Sequence, residues 1–235
     1  MIKPKSITKR CQVLLLEWLD GLVLTNLEKD LQKDNLKLLK EQINRLTKRQ
    51  LRLSVFGRVG VGKSSVLNAL VKEKIFATDI VHGSTSHTQA GLWKEPLTGY
   101  PSIEVIDTPG IDEINQRERN DLTSKICKES DLILFVIDGD LTNIELESLK
   151  SLIKNNKPIF VVLNRCDQWQ VDEVNQLIVT IKNRLPKNSK NLLLKAISAA
   201  PRRSQLMENG KVRSIECAAQ IEPLRESLVF LLKNH

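Results

Sequence analysis

The sequence predicts an α/β protein: a three-layer domain built on a mostly parallel sheet and preceded by an α-helical extension. Three observations predict it. Short β-branched apolar runs alternate with helical stretches from Leu51 onward, residues 11–50 are leucine-rich and free of proline, and a glycine-rich turn joins the first apolar run to a helix.

At 235 residues the chain suits one full-sized domain with a modest appendage, divided as a helical extension over 1–50 and the α/β domain over 51–235. Within the extension, Leu36, Leu39, Ile43 and Leu46 share one helical stripe and Leu15, Leu16, Leu19, Leu22 and Val23 share another. One long helix and a helical hairpin both satisfy that pattern. Strands follow at Leu51 to Phe56, Ile103 to Ile106, Leu132 to Ile137, Ile159 to Leu163 and Leu192 to Ile197. Most of these runs are continuously apolar, as strands covered by helices on both faces must be. Helices are expected at about Lys63 to Lys72, Glu118 to Lys128, Asn143 to Asn155, Val171 to Leu185 and Glu216 to Leu232. Pro201 to Arg213, with Arg202, Arg203, Lys211 and Arg213, reads as a basic surface loop.

A chain that is 41% hydrophobic and 27% charged is neither disordered nor collagen-like. Cys11, Cys127, Cys166 and Cys217 are scattered without C-x-x-C pairing, which suits a reducing, cytoplasmic setting with peripheral attachment to a membrane as an option. The apolar run Val13 to Leu24 is broken by Glu17 and Asp20, so no signal peptide is read, and no run reaches the roughly 18 residues a membrane span needs. Residues 1–50 hold 11 Lys and Arg against 6 Asp and Glu, so +5 of the net +8 lies in the extension. An anionic partner would feel that surplus, but interleaved charges more often mark a solvated helix face.

Gly57-Arg58-Val59-Gly60-Val61-Gly62-Lys63-Ser64-Ser65 follows a strand and opens a helix, the context in which G-x-x-x-x-G-K-[ST] is a phosphate-binding loop. Small residues let successive backbone N–H groups turn inward around a polyanion, and the helix N-terminus adds partial positive charge. Lys63 should reach the β- and γ-phosphates, and the Ser64 hydroxyl should ligate Mg2+. A plain strand-to-helix turn would not explain the Lys-Ser pair.

Asp107-Thr108-Pro109-Gly110 ends the second predicted strand, setting Asp107 to hold Mg2+ and the Gly110 N–H to sense a γ-phosphate. Alone, D-T-P-G is an ordinary turn; its weight comes from its order after Gly57. Asn164-Arg165-Cys166-Asp167 ends the strand Ile159 to Leu163. A carboxylate accepts the two adjacent donors of guanine, which adenine lacks, so Asp167 reads the base, Asn164 braces the loops and Arg165 lies along the ring. An Asp167 buried against the wrong base would cost about 1 to 3 kcal/mol or more. Ser198 and Ala199, after the last strand, would offer a backbone N–H to guanine O6.

In this order, GRVGVGKSS, DTPG, NRCD and ISA resemble the translation-factor-related P-loop GTPases, specifically the Era/TrmE/septin-like group, over about residues 51–235. Val66-Leu67-Asn68-Ala69-Leu70 resembles that group as well. The resemblance implies a six-stranded sheet with one antiparallel strand near Gln89 to Trp93, two switch regions that respond to the γ-phosphate, and GTP/GDP with Mg2+ as ligands. It also implies a switch I threonine, assigned to Thr85 over Thr88 as the third Mg2+ ligand beside Ser64 and Asp107. Lys63, Thr85 and Gly110 then carry the catalytic roles.

Three departures qualify that expectation. Arg165 stands where the group has lysine; its charge and stem should preserve guanine specificity. Gly60 stands where many members carry a potassium-binding asparagine, which argues against potassium activation. Ile111 follows the DTPG motif where Ras-like proteins have a water-orienting glutamine, and an isoleucine cannot orient water. Intrinsic turnover should therefore be slow, with a partner or second copy completing the site near Ser84 to Thr88. His82 and His87 flank that segment and read as solvated loop histidines. Trp93 and Trp169 read as packing residues, with Trp169 also able to border the base.

The leading expectation is a GTP-hydrolysing switch, with a homodimer, another protein activator or a membrane surface as its output. An RNA or ribosome-assembly output ranks lower because aromatic residues make up only 4% of the chain and no KH-type module is seen; DNA is not expected. A non-enzymatic, septin-like assembly protein is a third alternative. An ATP-dependent kinase or ATPase is the competing chemistry, opposed by Asn164 and Asp167.

Overall fold

The computed structural model describes residues 7–77, 88–94, 101–155, 157–186, 192–207 and 212–233. The extension forms α1 (Ile7–Asp20), a short α2 (Asn26–Leu31) and α3 (Lys33–Lys48). α1 and α3 pack together, with Gln12 Nε2 donating to Thr47 Oγ1 at 2.7 Å. The hairpin reading thus holds, and the break is chemical. Gly21 ends α1, and Thr25 caps α2 through a capping box with Glu28.

The main sheet has the order β2-β3-β1-β4-β5-β6, formed by β1 (Gln50–Phe56), β2 (Gln89–Trp93), β3 (Ser102–Asp107), β4 (Leu132–Ile137), β5 (Ile159–Leu163) and β6 (Leu192–Ala196). Only β2 runs antiparallel, pairing with β3 so that Trp93 lies opposite Ile103. The helices are α4 (Lys63–Val71), α5 (Gln116–Glu129), α6 (Asn143–Ile153), α7 (Val171–Arg184) and α8 (Glu222–Lys233).

Strand alternation divides the core between two faces. Leu132, Leu134 and Val136 of β4 and Phe160 and Val162 of β5 pack with α4 and α8 through Leu67, Leu70, Leu224 and Leu228. Ile133, Phe135 and Ile137 of β4 and Val161 and Leu163 of β5 turn to α5, α6 and α7 through Ile126, Leu149 and Ile181. This is why those strands read as continuously apolar. Trp93 lies in the first cluster, as its packing role requires.

Two boundaries differ from expectation. Pro201 to Arg213 is not a loop: β7 (Arg202–Leu206) and β8 (Val212–Glu216) form an antiparallel hairpin separate from the main sheet. Both strands are exposed along their whole length, so no buried face imposes the alternation that would reveal them. The last helix consequently begins at Glu222 rather than Glu216, which ends β8.

The extension attaches at the N-terminal edge of the parallel strands. Arg45 of α3 donates to the Glu129 carbonyl at 3.0 Å, and Gln42 donates to the Lys128 carbonyl at 3.0 Å. Arg52 on β1 bonds Glu104 at 2.7 Å and Glu129 at 3.4 Å. No helix among the described residues is long and apolar enough to cross a membrane.

Candidate nucleotide site

Every motif of interest follows the C-terminal end of a strand: Gly57 after β1, Thr108 after β3, Asn164 after β5 and Ser198 after β6. In an open parallel sheet this edge is where ligands bind. A cavity of about 750 Å3 runs along it, bordered by Gly60, Lys63 and Ser64 at one end and Asp167, Ala199 and Ala200 at the other.

The loop 57–62 has the backbone an anion cradle needs. Gly62 lies at φ 90°, and a Cβ there would strike the Asn164 side chain. Gly57 lies at φ 154°, where a Cβ would strike the Val136 carbonyl. Both positions therefore exclude larger residues sterically, not only by backbone preference. Val61 is fully buried in the core, fixing the loop from below.

Lys63 is buried, and its Nζ donates to the Arg58 carbonyl at 2.8 Å. Burial lowers its pKa from the ordinary lysine range, opposed by the charges of Asp107, Asp112 and Glu113. Ser64 Oγ donates to Asp107 Oδ2 at 2.5 Å, so the two expected Mg2+ ligands already touch. Thr108 Oγ1 donates to the Val55 carbonyl at 2.7 Å and anchors the following loop to β1. Gly110 borders the cavity, as does Ser65. Ile111 is fully buried among the α5 to α7 contacts, so its side chain faces the core rather than the cavity.

Asn164 ties the two ends of the cavity together. Its Nδ2 donates to the Val61 carbonyl at 2.9 Å, and its Oδ1 accepts from the Ala199 N–H at 3.0 Å. Arg165 adopts the left-handed conformation at φ 62° and donates from Nη2 to the Gly60 carbonyl at 2.6 Å. The Asp167 N–H donates to Ser198 Oγ at 2.9 Å. Asp167 itself is exposed in the open cavity wall, so any penalty for a mismatched base arises only once a base covers it.

Sequence reasoning did not foresee several features. The Ser198 N–H is bonded to the Gln220 carbonyl at 3.0 Å and the Ala199 N–H to Asn164 Oδ1 at 3.0 Å, and Ala199 and Ala200 both border the cavity. Arg58 does not line the cavity; it bonds Glu145 Oε1 at 2.8 Å and Asp138 Oδ1 at 3.0 Å, and the Glu145 bond raises its pKa. Glu113 and Gln168 border the cavity, three residues beyond the DTPG motif and one beyond NRCD respectively. Trp169 is 43% exposed, so it is not the packing residue expected. Burial pushes the Cys166 thiol up rather than activating it. Thr85, Ser84, His82 and His87 lie outside the described residues, while Thr88 is an exposed residue just before β2.

The site suits its expected ligands on its own geometry. The glycine loop opens onto the cavity at the N-terminus of α4, where backbone N–H groups can hold a polyphosphate, and the Ser64–Asp107 pair offers the hard oxygen donors that Mg2+ takes. Fold and site together define a P-loop nucleotide-binding α/β domain.

Known proteins narrow that class. Residues 52–165 match the family described as 50S ribosome-binding GTPase. The chain is 30% identical over 139 residues to GTPase Era of Geobacter metallireducens, covering 57% of this chain and 46% of that protein. It is 36% identical over 143 residues to the tRNA modification GTPase MnmE of Lactococcus lactis, covering 54% of this chain and 28% of that protein. A solved Era, in complex with MgGDPNP and nucleotides 1506-1542 of 16S ribosomal RNA, superimposes with a TM-score of 0.59 at 25% identity, over 77% of this chain and 56% of that one. The chain is thus similar to P-loop GTPases of the Era and MnmE type. Its match spans less than half the length of these two curated relatives.

Proposed function

We propose that the chain binds GTP and hydrolyses it to GDP and phosphate, acting as a conformational switch with slow intrinsic turnover. One observation carries this reading: the phosphate cradle, Ser64 with its bond to the buried Asp107, and the Asn164–Asp167 loop come together at a single cavity at one edge of the sheet. In this reading Lys63 meets the β- and γ-phosphates, Asp167 reads guanine, and Arg165 packs along the base. Ser64, Asp107 and Thr85 would hold Mg2+, which supplies charge neutralisation across the β- and γ-phosphate oxygens when bound. The Gly110 N–H would register the γ-phosphate and pass its presence to the loop that follows.

Hydrolysis requires help from outside the described residues. Ile111 is buried, and the two arginines beside the phosphate loop, Arg58 and Arg165, are both engaged with Asp138. The helical extension attaches at the opposite edge of the strands and supplies nothing to this cavity. A partner protein or second copy approaching the cavity mouth would complete the site.

An RNA or ribosome-assembly output is a second reading, supported by Arg202, Arg203 and Arg213 on the exposed hairpin strands and by the similarity to an Era solved with nucleotides of 16S ribosomal RNA. Retention on RNA that falls steeply with salt, and is lost when these arginines become alanine, would support it; salt-independent retention would count against it.

Calorimetry with GDP, GTP, ADP and ATP tests the central reading. Guanine nucleotides should bind with Mg2+ and adenine nucleotides should not; equal binding of ADP would sink the assignment of Asp167.

A further inference from the structure

The loop after Asp107 carries an interaction that no phosphate-binding motif requires. Asp112 Oδ1 accepts a hydrogen bond from the Val59 backbone N–H at 2.7 Å. A carboxylate therefore already sits on the anion-binding loop, at the end of the cradle that faces Gly110. The two segments are in close contact there: a Cβ on Gly110 would strike Val59, and the Ile111 N–H donates to the Gly57 carbonyl at 3.3 Å.

This position is built. Ile111, next to Asp112, is fully buried, and Arg119 of α5 donates from Nε to the Ile111 carbonyl at 2.8 Å and from Nη2 to the Ile114 carbonyl at 3.2 Å. The loop is thus pinned on both sides of Asp112, with the carboxylate directed onto the phosphate loop. Asp112 also acts electrostatically on Lys63, together with Asp107 and Glu113.

We propose that Asp112 is a specificity-determining residue that sets the preference for a diphosphate over a triphosphate, because its carboxylate holds the edge of the cradle that a third phosphate must approach. The inference rests on the GTP-site reading above. The inner part of the cradle, around Gly60, Gly62 and Lys63, borders the open cavity away from the Val59–Asp112 contact, the part that the first two phosphates would take in this reading. A third brings further negative charge against the carboxylate and forces the Val59–Asp112 bond to break. Triphosphate binding is then coupled to release of the loop 110–114 from the phosphate loop, whereas diphosphate binding is not.

The test is calorimetric affinity for GDP and for a non-hydrolysable GTP analogue, with Mg2+, in the full chain and in Asp112→Asn and Asp112→Ala. Asparagine keeps the acceptor and the shape while removing the charge, so it guards against a folding defect. Both variants should bind the triphosphate analogue about ten- to a hundredfold more tightly while GDP stays within about threefold. A triphosphate-to-diphosphate ratio unchanged in both variants, with GDP still bound, overturns the role of Asp112 and leaves the GTP site standing. Failure of the unaltered chain to bind GDP overturns both.

Discussion

The two edges of the sheet bury charge for different ends. At the N-terminal edge Arg45 and Arg52 are matched to Glu129, Asp131 and Glu104 in a cluster that fastens α3 to β1 and α5. At the C-terminal edge Lys63 is buried with, among the described residues, one backbone carbonyl as its hydrogen-bond acceptor, and its positive charge is opposed by desolvation. The first arrangement holds its counter-charges within the protein, with Arg45 Nε left without a hydrogen-bond partner among the described residues; the second would be completed by an anion. Groups at one edge therefore contribute stability, whereas groups at the other hold a charge ready for a ligand at some cost to stability.

Substitutions should separate the two. Lys63→Ala should weaken GDP binding by about a hundredfold or more, since it removes a charge facing the phosphates, yet leave the denaturant midpoint equal or higher. A lower midpoint with unchanged affinity would place Lys63 with the structural arginines. Asp167→Asn should exchange guanine for xanthine, costing GDP about ten- to a hundredfold; calorimetry with GDP and XDP reads it directly. Arg45→Ala should do the reverse of Lys63→Ala, lowering unfolding free energy by about 1 to 3 kcal/mol with GDP affinity unchanged. A loss of GDP affinity in that variant would link the two edges.

A smaller effect follows from pH. Because the folded pKa of Lys63 is lowered, the unfolded chain binds more protons between that value and the ordinary lysine value, so stability without ligand rises with pH across this window. Phosphate favours the charged ammonium, so nucleotide binding should take up a proton and weaken as pH rises through the same window. Calorimetry in buffers of different ionisation enthalpy measures the uptake. Smallest of all, Cys166, whose thiol is pushed up by burial, should be alkylated more slowly than the exposed Cys11.

The two edges also differed in what the sequence disclosed. The phosphate loop, DTPG and NRCD were legible because each combines a special backbone with a fixed chemical group; Asn164 ties the phosphate loop to Ala199, and the Ser64–Asp107 bond ties it to DTPG. The main strands were legible because burial on both faces leaves unbroken apolar runs. The hairpin strands Arg202–Leu206 and Val212–Glu216 were not, since their residues face solvent on both sides and carry no period. Nor were the partners of Arg58, Arg45 and Asp112, each of which lies more than 50 residues away or takes part through a backbone group. The buried Ile111 shows both limits: its inability to orient water was readable, but its place in the core was not.

The most direct test is GTP turnover per chain, measured with Mg2+ across a wide range of protein concentration and with ATP as the control nucleotide. The account predicts guanine-specific hydrolysis that at low concentration is slow, on the order of 10⁻² s⁻¹ or below, and that rises with self-association or with an added partner. Turnover already fast in the dilute chain alone, or ATP consumed as readily as GTP, would contradict it.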